Sequence, residues 1–250
     1  MDTIIAVIPA RGGSRRIPRK NLVEIAGKPL LAWTIEAALR ATLLDRVFVS
    51  TEDDEIADVA LRHGAELIRR PAPLADDLAG TEPALLHALD ALWDAERLRP
   101  RALALLQCTS PLRGPDIIDR AIEKLIETSC DAVVGVHPTI DWFFSGRLVQ
   151  GRFEVNYDPL RRPRTQDIEP RYRENGSIYV TDVDFLRRTG CRMGGDTRAT
   201  IMSPVEGLDI DDLHDLAVAR HHLERRLASP HHHHAPHLSP ARATDDTRQP

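Results

Sequence analysis

Apolar residues fall along this chain in two periods that take turns. An unbroken apolar run at residues 4–8, β-branched except for Ala6, has the pattern of a strand covered on both faces. Leu30, Leu31, Thr34, Ile35 and Ala38 then recur at helical spacing, which predicts a helix over 29–41 with Pro29 suited to its first turn. Residues 46–51 read as a short strand. Ile56, Val59, Ala60 and His63 mark a second helix, with Gly64 as its stop. Residues 66–69 read as a third strand. A Pro- and Asp-rich loop at 70–81 leads into a helix carrying Leu85, Leu86, Leu89, Leu92 and Trp93 on one face. A strand at 102–107, a helix striped by Ile117, Ile118, Ala121, Ile122 and Leu125, and a strand at 132–136 complete the series. Alternation this regular predicts an α/β fold with a mostly parallel sheet and helices on both faces.

The pattern breaks at 137–172. Helical periodicity disappears there, and short β-like pieces (142–144 and 152–155) alternate with Gly, Pro and a dense set of arginines. This segment is an insertion in the regular chain. A core strand returns at 175–181, followed by a short helix at 182–188 and a last short strand at 200–202. The final helix begins after Asp209-Ile210-Asp211-Asp212, where an aspartate suits the N-cap, and runs to about Leu227. One domain over 1–227 is expected. Residues 228–250 are rich in His, Pro, Ala, Asp and Arg without apolar periodicity, the composition of a disordered tail.

Composition narrows the function. At 250 residues and 42% hydrophobic, the chain can bury one full α/β core. A net charge of -5 argues against broad nucleic-acid binding. Cys108, Cys130 and Cys191 form no C-x-x-C pair and fit a reducing cytoplasm, with cysteine as a small apolar residue. No apolar run approaches membrane-spanning length, and no basic region or cleavage site suggests a leader, so neither membrane nor secretion is expected.

Against that acidic background one stretch stands apart. The first strand runs into Ala10-Arg11-Gly12-Gly13-Ser14-Arg15-Arg16-Ile17-Pro18-Arg19-Lys20-Asn21, a Gly-Gly turn with five cations. Glycines let backbone N–H groups curl around an anion, and arginine and lysine supply charge that a polyphosphate needs. A solvated basic loop is the plainer reading, but this one leaves the end of a buried strand, where open α/β sheets bind ligands. It matches neither the G-x-G-x-x-G nor the G-x-x-x-x-G-K-[ST] pattern. The spacing resembles the signature loop of the acylneuraminate cytidylyltransferases, or CMP-sialic acid synthetases. Kdo cytidylyltransferases lack the Gly-Gly pair and the closing Lys-Asn.

Four further segments carry the same resemblance. Leu106-Gln107-Cys108-Thr109-Ser110-Pro111-Leu112-Arg113 resembles the family's L-Q-x-T-S-P-L-R motif, implying that Gln107 meets the sugar while Thr109, Ser110 and Arg113 shape its pocket. A capping turn explains the same residues and is compatible with that role. Cysteine chemistry at Cys108 is not expected, since no base is fixed beside it in sequence. The run from Arg161 to Asp167, followed by Tyr172 to Tyr179, resembles R-x-Q-D…Y-x-x-N-G-x-I-Y. A planar guanidinium suits a sugar carboxylate, and Arg164 is the candidate. The resemblance implies a homodimer made through the insertion, with Arg173 serving the partner's site and Tyr179 the substrate. Solvation is the alternative reading for Arg161 and Arg162.

Asp209 and Asp211 lie on one face of an extended chain, which suits a hard cation. Helix capping explains the pair as well; the resemblance points to the family's Mg²⁺ site. The segment from Arg70 to Thr81 resembles the loop beside the nucleotide base, with Thr81 touching the nucleotide. Together these matches, over residues 4–227, imply a Rossmann-like nucleotidyltransferase sheet. They also imply transfer of CMP from CTP to a nine-carbon 2-keto sugar acid. Ala10, Arg11, Gly12, Gly13, Ser14, Lys20 and Asn21 would hold the nucleotide, with Arg11, Lys20 and Asp211 acting in catalysis. The general base is left open. Two other readings remain: a cytidylyltransferase for another acceptor (legionaminate, a Kdo-like acid or a phosphonate), and a non-catalytic nucleotide-binding protein of the same fold.

Overall fold

The computed structural model describes residues 3–14, 16–76, 79–169 and 171–228. Arg15, Asp77, Leu78 and the tail beyond Ala228 therefore lie outside the described residues. A seven-stranded sheet forms the middle of the molecule. In chain order its strands are β1 (Ile4–Pro9), β4 (Arg46–Thr51), β5 (Glu66–Arg69), β6 (Ala102–Leu106), β7 (Ala132–Thr139), β10 (Arg171–Asp182) and β11 (Thr197–Ile201). Two small hairpins complete the numbering: β2 (Glu24–Ile25) with β3 (Lys28–Pro29), and β8 (Gly146–Val149) with β9 (Arg152–Val155). The helices are α1 (Leu30–Arg40), α2 (Asp54–Arg62), α3 (Thr81–Glu96), α4 (Pro115–Thr128), α5 (Val183–Thr189) and α6 (Leu213–Ala228).

The spatial order is β11-β7-β10-β6-β1-β4-β5. Every pairing is parallel except those of β10, which runs antiparallel to both β6 and β7. Successive side chains of β1 go to opposite faces, as pleating requires. Ile4, Ala6 and Ile8 pack with Leu31 and Ile35 of α1, Ile56 of α2 and Ile117 and Ile122 of α4. Ile5 and Val7 pack with Leu85 and Leu89 of α3 and Val183 of α5. This two-sided burial is why the first strand is apolar throughout.

A third apolar cluster lies outside the sheet. Ile17 from the basic loop meets Ile25, Leu30, Trp33, Leu112, Ile210 and the α6 residues Leu216, Ala219 and Leu223. The Ile-Pro step of the loop is thus an anchor: Ile17 is buried while its neighbours Arg16 and Pro18 face solvent. Gly64 ends α2 as expected, with a φ of +87° that glycine adopts without a Cβ penalty.

The insertion differs from its expectation in three respects. Residues 142–144 form turns, where a β-like piece was expected. Phe143 stacks on Tyr157 with ring centroids 5.4 Å apart, so the aromatic character serves a cluster and not a sheet. The piece at 152–155 is a strand, and its partner is β8, whose Gly146 and Arg147 concealed it from periodicity. β7 and β10 also run on into the segment, pairing Arg173 with His137 and Arg171 with Thr139.

Candidate active site

The sheet brings the singled-out segments to one edge. The loops after β1, β4, β5, β6 and β7 leave from the C-terminal ends of parallel strands. β10 is antiparallel, so its N-terminal half, Arg171 to Gly176, reaches that same edge beyond Leu106. Ligands of open α/β sheets bind at this edge.

The basic loop is held from several sides. Ala10 is buried and donates its N–H to the Ser50 carbonyl at 3.0 Å. Asn21 closes the turn, its amide donating to the Arg11 carbonyl at 3.0 Å. Lys20 donates to the Ile210 carbonyl at 2.7 Å, tying the loop to the Asp209–Asp211 segment. Arg16 pairs with Asp211 at 2.8 Å, both well exposed. Arg19 pairs with Asp53 and Glu55. The Gly12 N–H donates to Glu52 at 2.7 Å, and Glu52 in turn accepts from the buried Arg70 at 3.1 Å. Arg11 reaches the Ala75 carbonyl at 3.5 Å, across to the Pro-rich loop. Gly13 is exposed and Ser14 half-buried, while Thr81 opens α3. Two of the loop's cations, Arg16 and Arg19, are thus engaged with carboxylates of the chain itself.

Next to this loop lies a cleft of about 470 Å³, lined by His137, Arg173, Glu174, Asn175, Gly176, Tyr179, Pro204, Gly207, Leu208, Asp209, Asp211 and Asp215. Its shape depends on a bulge in β10, where the register with β7 shifts between Glu174 and Tyr179. Gly176 adopts φ +73° there, and a Cβ on it would come within 3.7 Å of Gln107 Oε1 and 4.0 Å of Asp209 Oδ2. Asn175 is clamped rather than displayed. A Cβ on Gly135 would lie 2.9 Å from its Oδ1, and one on Gly207 would lie 2.5 Å from its Nδ2. The Asn-Gly pair therefore sets the distance between the Gln107 loop and the Asp209 segment.

Within the cleft, Asp209 is half-buried and its Oδ1 has no hydrogen-bond partner. Burial pushes its pKa up from the carboxylate range, against a hydrogen bond from the Thr109 side chain that pulls it down. Asp211 is exposed. Helix capping falls to the next residue: Asp212 accepts the N–H groups of His214 at 2.8 Å and Asp215 at 3.0 Å. The Asp215 side chain reaches back to the N–H groups of Asp211 and Asp212 at 2.9 and 3.1 Å, a reciprocal capping box. Asp211 is thereby relieved of the capping role that the sequence left open for it. Tyr179 is buried, donates to Glu174 and carries the Arg192 guanidinium 4.7 Å from its ring. Burial, then the Glu174 carboxylate, pushes its pKa up to about 12. Burial, then Arg173, pushes the pKa of His137 down.

Three expected site residues stand elsewhere. Arg113 is 1% exposed and lies beneath the Gln107 loop, where it donates to the Ser177 carbonyl and, at 3.1 Å, to its hydroxyl. Burial lowers its pKa to about 10. It supports the bulge from below instead of lining the cleft. Ser110 is buried with its hydroxyl unpartnered. Arg164 is exposed in the insertion, with both nitrogens of its fork on Asp167 at 2.8 and 2.9 Å. Arg173, expected to serve a partner subunit, lines the cleft of its own chain. Cys108 is buried, and burial pushes its thiol up to about 12, which suits an inert packing residue.

Sequence reasoning passed over Glu52, Asp53, His137, Glu174 and Asp215. Asp215 had a local signal, because Asp212-x-x-Asp215 has capping-box spacing. Glu52 had none. Its partners Gly12 and Arg70 lie 40 and 18 residues away.

The fold thus brings a glycine-rich basic loop, paired aspartates and a polar cleft to one edge of a mixed sheet. The structure is similar to a solved CMP-2-keto-3-deoxy-manno-octonic acid synthetase complexed with CTP (TM-score 0.69, 18% identity, 90% of this chain and 99% of that one). It is also similar to a 4-diphosphocytidyl-2C-methyl-D-erythritol synthase (TM-score 0.65, 14% identity, 89% and 100%). The family model described as Cytidylyltransferase matches residues 5–180, and the chain belongs to that family. Among curated relatives, the CMP-N,N'-diacetyllegionaminic acid synthase of Legionella pneumophila is 34% identical over 232 residues, 88% of this chain and 96% of that protein. The pseudaminic acid cytidylyltransferase of Campylobacter jejuni is 33% identical over 181 residues, 70% and 76% respectively. The N-acylneuraminate cytidylyltransferase of Escherichia coli is 33% identical over 228 residues, 86% of this chain. The chain spans about half of that relative, 51% of its length.

Proposed function

We propose that this chain transfers CMP from CTP to the anomeric hydroxyl of a nine-carbon 2-keto sugar acid, giving a CMP-sugar and pyrophosphate. The observation that carries the proposal is the meeting of two half-sites. Lys20 ties the basic loop to the Asp209–Asp211 segment, and that segment forms one wall of the polar cleft. A nucleotide along the loop would present its α-phosphate to an acceptor in the cleft. The relatives named for N-acylneuraminate, legionaminate and pseudaminate support the same acceptor class.

The chain's own groups divide the work. Arg11 and Lys20 lie against the phosphates and favour charge shifting to the leaving pyrophosphate. Ala10, Gly13, Ser14, Asn21 and Thr81 shape the nucleotide's bed. Gln107 and Tyr179 orient the acceptor, and Arg173 takes its carboxylate. Arg164, outside this cleft, is left for a neighbouring subunit's site. The unpartnered, half-buried Oδ1 of Asp209 fits a hard cation, and Asp211 is freed from capping to join it. These two carboxylates would hold Mg²⁺, which when bound polarises a phosphoryl oxygen.

Assembly is proposed as a homodimer through the insertion, supported by exposed apolar side chains there: Leu148 at 77%, Phe153 at 61% and Leu160 at 94%. Cytoplasmic residence is proposed from three unpaired cysteines. Among the described residues, no helix is long and apolar enough to cross a membrane.

The testing experiment is nucleotide selection. Isothermal titration with Mg²⁺ and each triphosphate should give strong preference for CTP over UTP, ATP and GTP. Equal binding of a purine triphosphate contradicts the proposal.

A further inference from the structure

Glu52 leaves the C-terminal end of β4 and stands between two loops. One carboxylate oxygen accepts the Gly12 N–H at 2.7 Å. The other accepts from Arg70 at 3.1 Å, and the Arg70 side chain is only 5% exposed. The Arg70 Nε is buried without a hydrogen-bond partner, so Glu52 is the carboxylate that offsets this guanidinium. Gly12 belongs to the phosphate loop after β1, and Arg70 begins the loop after β5. Glu52 joins them.

We infer that Glu52 is a positioning residue for the nucleotide: it fixes the phosphate loop against the Arg70 loop through one carboxylate. The inference rests on the CTP reading given above. Two consequences follow from the geometry. First, the Gly12 N–H is spent on Glu52, so a bound phosphate meets the side chains of Arg11 and Lys20 and not this amide. Second, loss of the carboxylate removes one tie from each loop at once. It frees the turn at Gly12 and leaves a buried cation without its partner, which is costly when only one member of a pair is removed. The neighbouring Asp53 reinforces the same contact. It caps α2 by accepting from Ile56 at 3.0 Å and holds Arg19 of the phosphate loop. The acceptor cleft contains none of these groups. Nucleotide binding and acceptor binding should therefore respond differently to a change at residue 52.

The test compares wild type, Glu52→Gln and Glu52→Ala. CTP affinity is measured by titration without acceptor, KM by turnover, and protection of the Gly12 amide by hydrogen exchange. Glu52→Ala should weaken CTP binding at least about tenfold, the range expected for lost hydrogen bonds to a charged group. Acceptor KM should stay within about twofold. Glu52→Gln keeps an acceptor for Gly12 but loses the charge facing Arg70, so it should lie between the other two and retain amide protection. CTP affinity and Gly12 exchange unchanged in Glu52→Ala overturns the inference, whatever its melting temperature. An equal loss in CTP and acceptor terms in the folded Glu52→Gln protein also overturns it. Wild-type protein that binds no CTP instead refutes the underlying nucleotide reading, a result the wild-type arm reports separately.

Discussion

Asp211 and Asp212 sit side by side in sequence and do different things. Asp212 caps α6, while Asp211 faces Arg16 and the cleft. The N–H groups of Asp215 and His214 hold the Asp212 carboxyl below its ordinary value of 3.8. A depressed folded pKa gives stability that is present above the unfolded pKa and lost as pH falls through the folded one. Asp212→Ala should accordingly lower the melting temperature at neutral pH, less so in strong acid, with Mg²⁺-dependent turnover retained. Asp211→Ala should reverse the pattern, keeping the melting temperature and losing about a hundredfold or more in turnover, since polarising a phosphoryl oxygen is worth several kcal/mol. Paired melts and rates on both variants check this. Near-normal turnover in Asp211→Ala would place the metal elsewhere. Both carboxylates fit a helix start; the Asp212-x-x-Asp215 spacing is the local hint that separates these neighbours, and the N–H directions decide it.

At the scale of elements, legibility followed periodicity. β4 and β5 fall where their β-branched and apolar runs put them. Strand direction was less legible: nothing local in the 175–181 run marks β10 as antiparallel, because direction is settled by its pairing with β6 and β7. That reversal matters, since it brings Arg173 to the ligand edge. The β8–β9 hairpin was half legible because its outward side chains have no core to alternate against. Leu148 and Phe153 are cross-strand partners in it and both are exposed. A hairpin presenting such a pair has apolar area to bury against another surface. The double substitution Leu148→Glu with Phe153→Glu should convert a dimer into monomers by light scattering at micromolar protein, with the far-ultraviolet dichroism unchanged. A dimer that persists would move the interface off the hairpin.

For the molecule as a whole, the architecture was legible in the alternation of periods, and the edge where the basic loop emerges in one motif. The cleft was not. Its walls come from β7, β10 and the segment after β11, and the β10 bulge is supported from outside the cleft by Arg113, 64 residues from its partner Ser177. Short motifs announced Gln107, Asp209 and Tyr179 one by one, yet their common address depends on a glycine bulge and on Gly135 and Gly207 leaving room for Asn175. The same long-range character explains why Arg113 reads as a pocket residue in sequence and as a buried support in the fold.

The most direct test of the account is pyrophosphate release with CTP and Mg²⁺ against a panel of acceptors, with the CMP-sugar product quantified in the same samples. The panel contains N-acylneuraminic, legionaminic and pseudaminic acids, with 2-keto-3-deoxy-manno-octonic acid as the eight-carbon comparison. The account predicts release with at least one nine-carbon acid, one CMP-sugar formed per pyrophosphate, and none with the eight-carbon acid at matched concentration. Absence of turnover with every nine-carbon acid, or preference for the eight-carbon one, would contradict it.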